Sequence, residues 1–170
     1  KYAVVGFDIN SERIAELKSQ VRSIPVLGNG DIFSAADALD MVARTGCDGV
    51  VVGRGCLGRP WLFAELEAAF TGAPLPAPPN LGQVAEVIRR HATLIVEWQD
   101  GEERLAHFRK HLAWYLKGYA VGGTIRRDAG QVATLRDIED LLDRLDPDLP
   151  APEGADRIVR SHSNALKKVA

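Results

Sequence analysis

Residues 24–59 read IPVLGNGDIFSAADALDMVARTGCDGVVVGRGCLGR, and their pattern decides the fold. Ile24, Val26 and Leu27 form a short apolar run that ends in Gly28-Asn29-Gly30-Asp31. Val50, Val51 and Val52 form a second, which ends in Gly53-Arg54-Gly55. Apolar, β-branched runs this short suit strands covered on both faces, as in a parallel sheet. Between them, Ser34 is placed to cap a helix whose Ala35, Ala38, Leu39 and Val42 share one face. Gly46 stands where a left-handed C-terminal cap belongs. The stretch predicts a β-α-β unit with a right-handed crossover.

Its chemistry lies at the carboxyl ends of the two strands. Glycines on both sides of Asn29 let the backbone turn tightly and approach a ligand. Those around Arg54 expose main-chain N–H groups, while the guanidinium can fork onto an anion. Parallel α/β folds bind ligands at strand carboxyl ends, and in a (β/α)8 barrel the loops after the last two strands commonly hold phosphate. A single such turn is equally an ordinary strand-to-helix connection. Two at consecutive strand ends, one carrying Arg54, favour a phosphate site.

These residues resemble a known family. IPVLGNGDI followed by TGCDGVVVGRGCLGRPWLF is similar to the seventh and eighth strands of the tRNA-dihydrouridine synthases, particularly the bacterial B-type. The likeness continues through RKHLAWYLKG and covers roughly 12–145. It implies the last βα units of a flavin-binding (β/α)8 (TIM) barrel over 1–71, and a helical tRNA-binding domain over 81–150. It also implies an enzyme that reduces uridine in tRNA with flavin mononucleotide (FMN) as cofactor and NADPH as reductant. By that resemblance Asn29, Gly30 and Asp31 line the FMN, and Gly53 and Arg54 hold its phosphate. The family's catalytic cysteine lies upstream of anything present here. No catalytic residue is therefore assigned to this chain, which is expected not to turn over alone.

Composition sets the frame. The chain has 170 residues and a formal net charge of −2, so any basic surface must be local. No apolar run approaches the roughly 20 residues that cross a bilayer, and no signal peptide is visible. The two cysteines form neither a CxxC pair nor part of a metal-ligand cluster. The expectation is a cytoplasmic protein with neither membrane partner nor metal. A full (β/α)8 barrel needs about 250 residues. The chain therefore reads as a carboxyl-terminal portion whose open strands need the N-terminal part of the barrel or self-association.

Outward from the central stretch, Tyr2 to Ile9 is a strand candidate, with Asn10 or Ser11 capping a helix through Ile14 and Leu17. VVGFDINSERIAELKS resembles the second strand and following helix of a nucleotide-sugar dehydrogenase, in which Asp8 would meet an NAD ribose. The G-x-G-x-x-G turn that such a site requires is absent. Pro60 suits the first turn of a helix packed through Trp61, Leu62, Leu66 and Phe70. Residues 72–80, with four prolines, form a stiff linker.

Beyond the linker the period is purely helical. One helix after Asn80 carries Val84, Val87, Ile88, Leu94, Ile95 and Trp98. A second, from Glu102 to about Val121, buries Leu105, Phe108, Leu112, Tyr115, Leu116 and Tyr119 and stops at Gly122-Gly123. A third starts at Thr134 with Asp137. Arg109, Lys110, Lys117, Arg126 and Arg127, accompanied by His107, His111, Trp114 and Tyr115, suit a phosphate backbone and exposed bases. The resemblance implies that they grip tRNA. His107 and His111 are four apart but lack a third metal ligand. Residues 151–170 read as a flexible basic tail.

Two other functions are compatible with these residues. One is a noncatalytic RNA-binding module. The other is an FMN-dependent TIM-barrel oxidoreductase acting on a small molecule, which would not need the basic helical appendage.

Overall fold

The computed structural model describes residues 6–8, 10–20, 23–99 and 101–154. They form two compact units, one up to Pro76 and one from Ala77 onward. Most of the opening strand candidate and the basic tail lie outside the described residues.

In the first unit, β1 (Gly6–Asp8), β2 (Val26–Asn29) and β3 (Gly49–Val51) form a parallel sheet in the order β1-β2-β3. The register sets Asp8 beside Gly28, and Asn29 beside Val51. The helices α1 (Ser11–Gln20), α2 (Ala35–Thr45) and α3 (Leu62–Thr71) follow the successive strands. β2 begins two residues later than its apolar run suggests, because Pro25 has no N–H to give the ladder. The expected cover on both faces is not reached. β2 alternates buried and half-buried positions, and β3, at the edge of the described sheet, is half-buried throughout.

Local chemistry sets the helix ends. Asn10 Oδ1 accepts from the N–H groups of Glu12 and Arg13 and so starts α1. Ser34 accepts from Asp37 N–H while Asp37 accepts from Ser34 N–H, a reciprocal capping box, and Gly46 closes α2 in the left-handed region (φ 66°). The buried stripe of α2 is Ala35, Ala38 and Met41 rather than one reaching Leu39, which is 43% exposed. Phe70 is likewise exposed, while Leu62 and Leu66 pack against Ile32 and Ala38. Asp48, in the turn before β3, receives the Lys18 ammonium and the Val26 N–H. These hydrogen bonds hold its carboxyl below the ordinary carboxylate range.

The second unit holds α4 (Leu81–Gln99), α5 (Leu105–Tyr115), α6 (Gly122–Ala129) and α7 (Leu135–Leu142). Asn80 and Gln83, then Thr134 and Asp137, repeat the reciprocal cap at the starts of α4 and α7. The six apolar positions expected to be buried between Leu105 and Tyr119 are all buried. α5, however, ends at Tyr115 instead of running to Val121, and Gly122-Gly123 opens a further helix rather than stopping one. Gly118 turns the chain with φ 93°, and Arg126 reaches back from α6 to donate to the Leu116 and Tyr119 carbonyls. Arg126 thereby ties α6 to the turn after α5, in which the Leu116 carbonyl also accepts the Tyr119 N–H at 3.3 Å. Arg89 clamps α4 to α7 through Glu139, at 2.8 Å.

His91 on α4 and His111 on α5 meet edge to face, with ring centroids 4.9 Å apart. His91 Nδ1 lies 3.1 Å from the Tyr115 hydroxyl. Burial, then the neighbouring His111, depresses the His91 pKa; burial, then Lys110, depresses that of His111. The fold therefore prefers both rings neutral. The unfolded chain takes up protons near the ordinary value of 6.5 while the folded one does not, so stability is full above that value and declines below it. Urea denaturation followed from about pH 7 to pH 5 is expected to show the midpoint falling. The slope should flatten in His91→Gln.

Candidate functional site

The loops after β2 and β3 converge. Asn29, Gly30, Asp31, Gly53, Arg54 and Gly55 line one cavity of about 630 Å3. Asn29, at the end of β2, donates from Nδ2 to the Val51 carbonyl at 3.2 Å, which turns its side chain toward β3. Gly30 (φ 140°) and Asp31 (φ 40°) both lie at positive φ. A non-glycine residue in that region is uncommon, and Asp31 is held there with its carboxylate 2.6 Å from Arg54 Nη2. The pair bridges the two loops and is substantially exposed, at 43% for the arginine side chain and 68% for the aspartate.

After Gly53 the chain makes a single 3-10 turn, Arg54–Cys56. A Cβ on Gly53 would meet nothing within 4 Å, so its backbone borders open space. Cys56 Sγ donates to the Gly53 carbonyl at 3.2 Å, so the thiol serves the turn itself. The residues present suit a phosphomonoester. A bare main chain leaves room for the phosphoryl oxygens, and Arg54 supplies a planar cationic donor.

Two features of the site escape a reading of the sequence, the close packing of Gly55 and the burial of Arg59. Gly55 packs so tightly that a Cβ there would lie 1.9 Å from the Ile32 carbonyl oxygen. Arg59 is 3% exposed and ties the loop after β2 to α3. Buried arginine is rare unless paired, a rule that marks it only once burial is known.

The expected RNA contacts fall into two groups. Arg109 donates to the carbonyls of Val132 (2.7 Å) and Gln131, and Arg126 to those of Leu116 and Tyr119; both brace loops. Lys110 lies 5.3 Å from the Trp114 ring centroid, and Arg127 contacts Asp128 at 3.5 Å. Lys117 is half-buried just beyond α5. His107 and His111 border a second cavity, of about 490 Å3, whose rim carries Arg104 and Trp98. Trp98, which continues the apolar period of α4, is 91% exposed. No group of three or more His, Cys, Asp or Glu suited to a metal ion occurs among the described residues. No helix among them is long and apolar enough to cross a membrane.

Comparison with known proteins places this geometry in a family. A probable tRNA-dihydrouridine synthase of Mycobacterium tuberculosis is 58% identical over 144 residues, covering 85% of this chain and 37% of the relative. One from Mycobacterium leprae is 59% identical over 143 residues, covering 84% and 37%. The tRNA-dihydrouridine synthase B of Pasteurella multocida is 36% identical over 107 residues, covering 63% and 32%. The chain thus spans little more than a third of the mycobacterial relatives' length. The family described as dihydrouridine synthase, a TIM-barrel enzyme family, matches residues 5–148, which include the opening strand and helix. With the greater part of its length matched, the chain belongs to the dihydrouridine synthase family.

Proposed function

We propose that this chain supplies the FMN phosphate site and part of the tRNA grip of an enzyme that reduces uridine to dihydrouridine in tRNA, with NADPH as reductant. The observation that carries the reading is the convergence of Asn29, Gly30, Asp31, Gly53 and Arg54 on one cavity at neighbouring strand ends. In this reading the first unit is the last part of a TIM barrel, 72–80 is a linker, and the helical unit to about residue 150 binds RNA. The protein acts in the cytoplasm, and the open strand edges pair with the rest of the barrel.

When bound, FMN supplies hydride transfer to the uracil ring. The protein's own residues position it. Gly53 and Arg54 take the phosphate, and Asn29 and Asp31 form the adjoining wall. Arg54 approaches the phosphate while keeping Asp31 as a second partner, so its fork is aimed before the ligand arrives. In the helical unit, Arg109 and Arg126 brace the loops beside α5 and α6, and Lys110, Lys117 and Arg127 meet RNA phosphates.

The test is made on the intact protein. It is expected to purify with FMN and to form dihydrouridine in unmodified tRNA with NADPH. The double variant Lys110→Ala/Arg127→Ala should keep its flavin and its kcat but raise KM for tRNA about tenfold, and flatten the salt dependence of binding by about two phosphate contacts. Binding of tRNA without any flavin would instead favour a noncatalytic RNA-binding module. Flavin without tRNA binding would favour a small-molecule oxidoreductase.

A further inference from the structure

We infer that Arg59 is the positioning residue of the phosphate site, an assignment that rests on reading the cavity as the seat of the FMN phosphate. Arg59 is not among the residues that line the cavity. Its guanidinium, 3% exposed as a residue, lies behind them. Nη1 donates to the Phe33 carbonyl at 2.8 Å, within the loop that leaves Asp31. Nη2 faces the Glu65 carboxylate on α3 at 3.3 Å, and the Arg59 main-chain N–H closes onto the Cys56 carbonyl at 2.9 Å. The side chain thus fastens the loop after β2 to the helix that follows, while the backbone of the same residue closes the 3-10 turn after β3.

The two loops also touch directly through backbone. A Cβ at Gly55 would fall 1.9 Å from the Ile32 carbonyl oxygen and 3.2 Å from the Phe33 α-carbon. Ile32 is itself held in the core with Leu62 and Leu66. A shift of either loop is therefore transmitted to the other. Arg59 holds the far side of that contact, so the relative placement of Gly30-Asp31 and Gly53-Arg54 depends on it. A buried charge is costly to desolvate, and a well-packed apolar side chain of similar size often serves stability equally well. What the apolar substitute cannot do is hold a carbonyl and a carboxylate in a fixed geometry at once. Lysine, with a single ammonium on a flexible stem, does this poorly.

The experiment compares FMN with riboflavin, which lacks the phosphate, on flavin-stripped intact protein, reading affinity from flavin fluorescence. The ratio of the two affinities isolates the phosphate site, because general loosening of the fold weakens both ligands alike. Arg59→Met is expected to lower the FMN-to-riboflavin ratio about 10- to 100-fold, the range seen when groups that orient ligand-holding residues are removed from metal sites. Arg59→Lys should restore it only in part. Where Arg59→Met fails to fold, Glu65→Gln, which loosens one end of the guanidinium, should lower the ratio in the same direction.

Arg54→Ala serves as the marker of the phosphate reading itself. A ratio that stays at the parental value in Arg59→Met, or in Glu65→Gln where that variant stands in, while Arg54→Ala abolishes it, overturns the role of Arg59 and leaves the phosphate site standing. A parent with no preference for FMN, or an Arg54→Ala variant that keeps the preference, overturns both.

Discussion

Arg54→Ala in the intact protein is expected to release FMN while leaving tRNA affinity unchanged. A hydrogen bond to a charged group contributes about 1.5–3 kcal/mol, which corresponds to roughly 10- to 150-fold in affinity. A second effect adds to this loss. Arg54 sits 2.6 Å from the Asp31 carboxylate, so removing the guanidinium leaves a bare negative charge on the wall of an anion site. The double change Arg54→Ala/Asp31→Asn should therefore hold FMN better than Arg54→Ala alone. Equilibrium dialysis of the flavin gives both numbers. An Arg54→Ala protein that retains flavin as fully as the parent rules out the phosphate assignment.

Phe108→Ala should have the largest effect on stability. Phe108 is 1% exposed, packs edge to face with His91 at 5.0 Å, and stacks on His111 at 5.9 Å. Truncating a buried phenylalanine costs about 3–5 kcal/mol through lost transfer energy and the cavity left behind. Whole domains are stable by about 5–15 kcal/mol, so the helical unit would retain a small margin or none. Urea denaturation of the intact protein, followed by tryptophan fluorescence from Trp98 and Trp114, should show an early transition that the parent lacks. A change below about 1 kcal/mol would mean that Phe108 is not central to the packing of α4 against α5.

Much of this architecture is legible in the sequence where the physics is local. Ser34, Thr134 with Asp137, and Gly46 announce helix ends within a few residues of themselves, and the structure has each of them in that role. The apolar period from Leu105 to Tyr119 likewise identifies a buried face. The features that escape depend on distant neighbours. Gly122-Gly123 has the composition of a stop, yet it opens α6, because Gly118 has already made the turn and Arg126 ties α6 back to it. Trp98 continues the apolar period of α4, but periodicity does not say how far along a helix its partner extends. Arg59, set between Gly58 and Pro60, has the composition of a solvated turn. Nothing nearby in the chain reveals Phe33 and Glu65 as its partners.

The three reciprocal helix starts have a kinetic consequence. Each is a loop of three residues, with Ser34 closing on Asp37, Asn80 on Gln83 and Thr134 on Asp137. Such short closures cost little chain entropy and form quickly. The beginnings of α2, α4 and α7 are therefore available to an emerging polypeptide before any distant segment has arrived. The parallel pairing of β1, β2 and β3 must wait for each intervening helix to be made, so assembly of the sheet is the slow event that the prompt helix starts prepare.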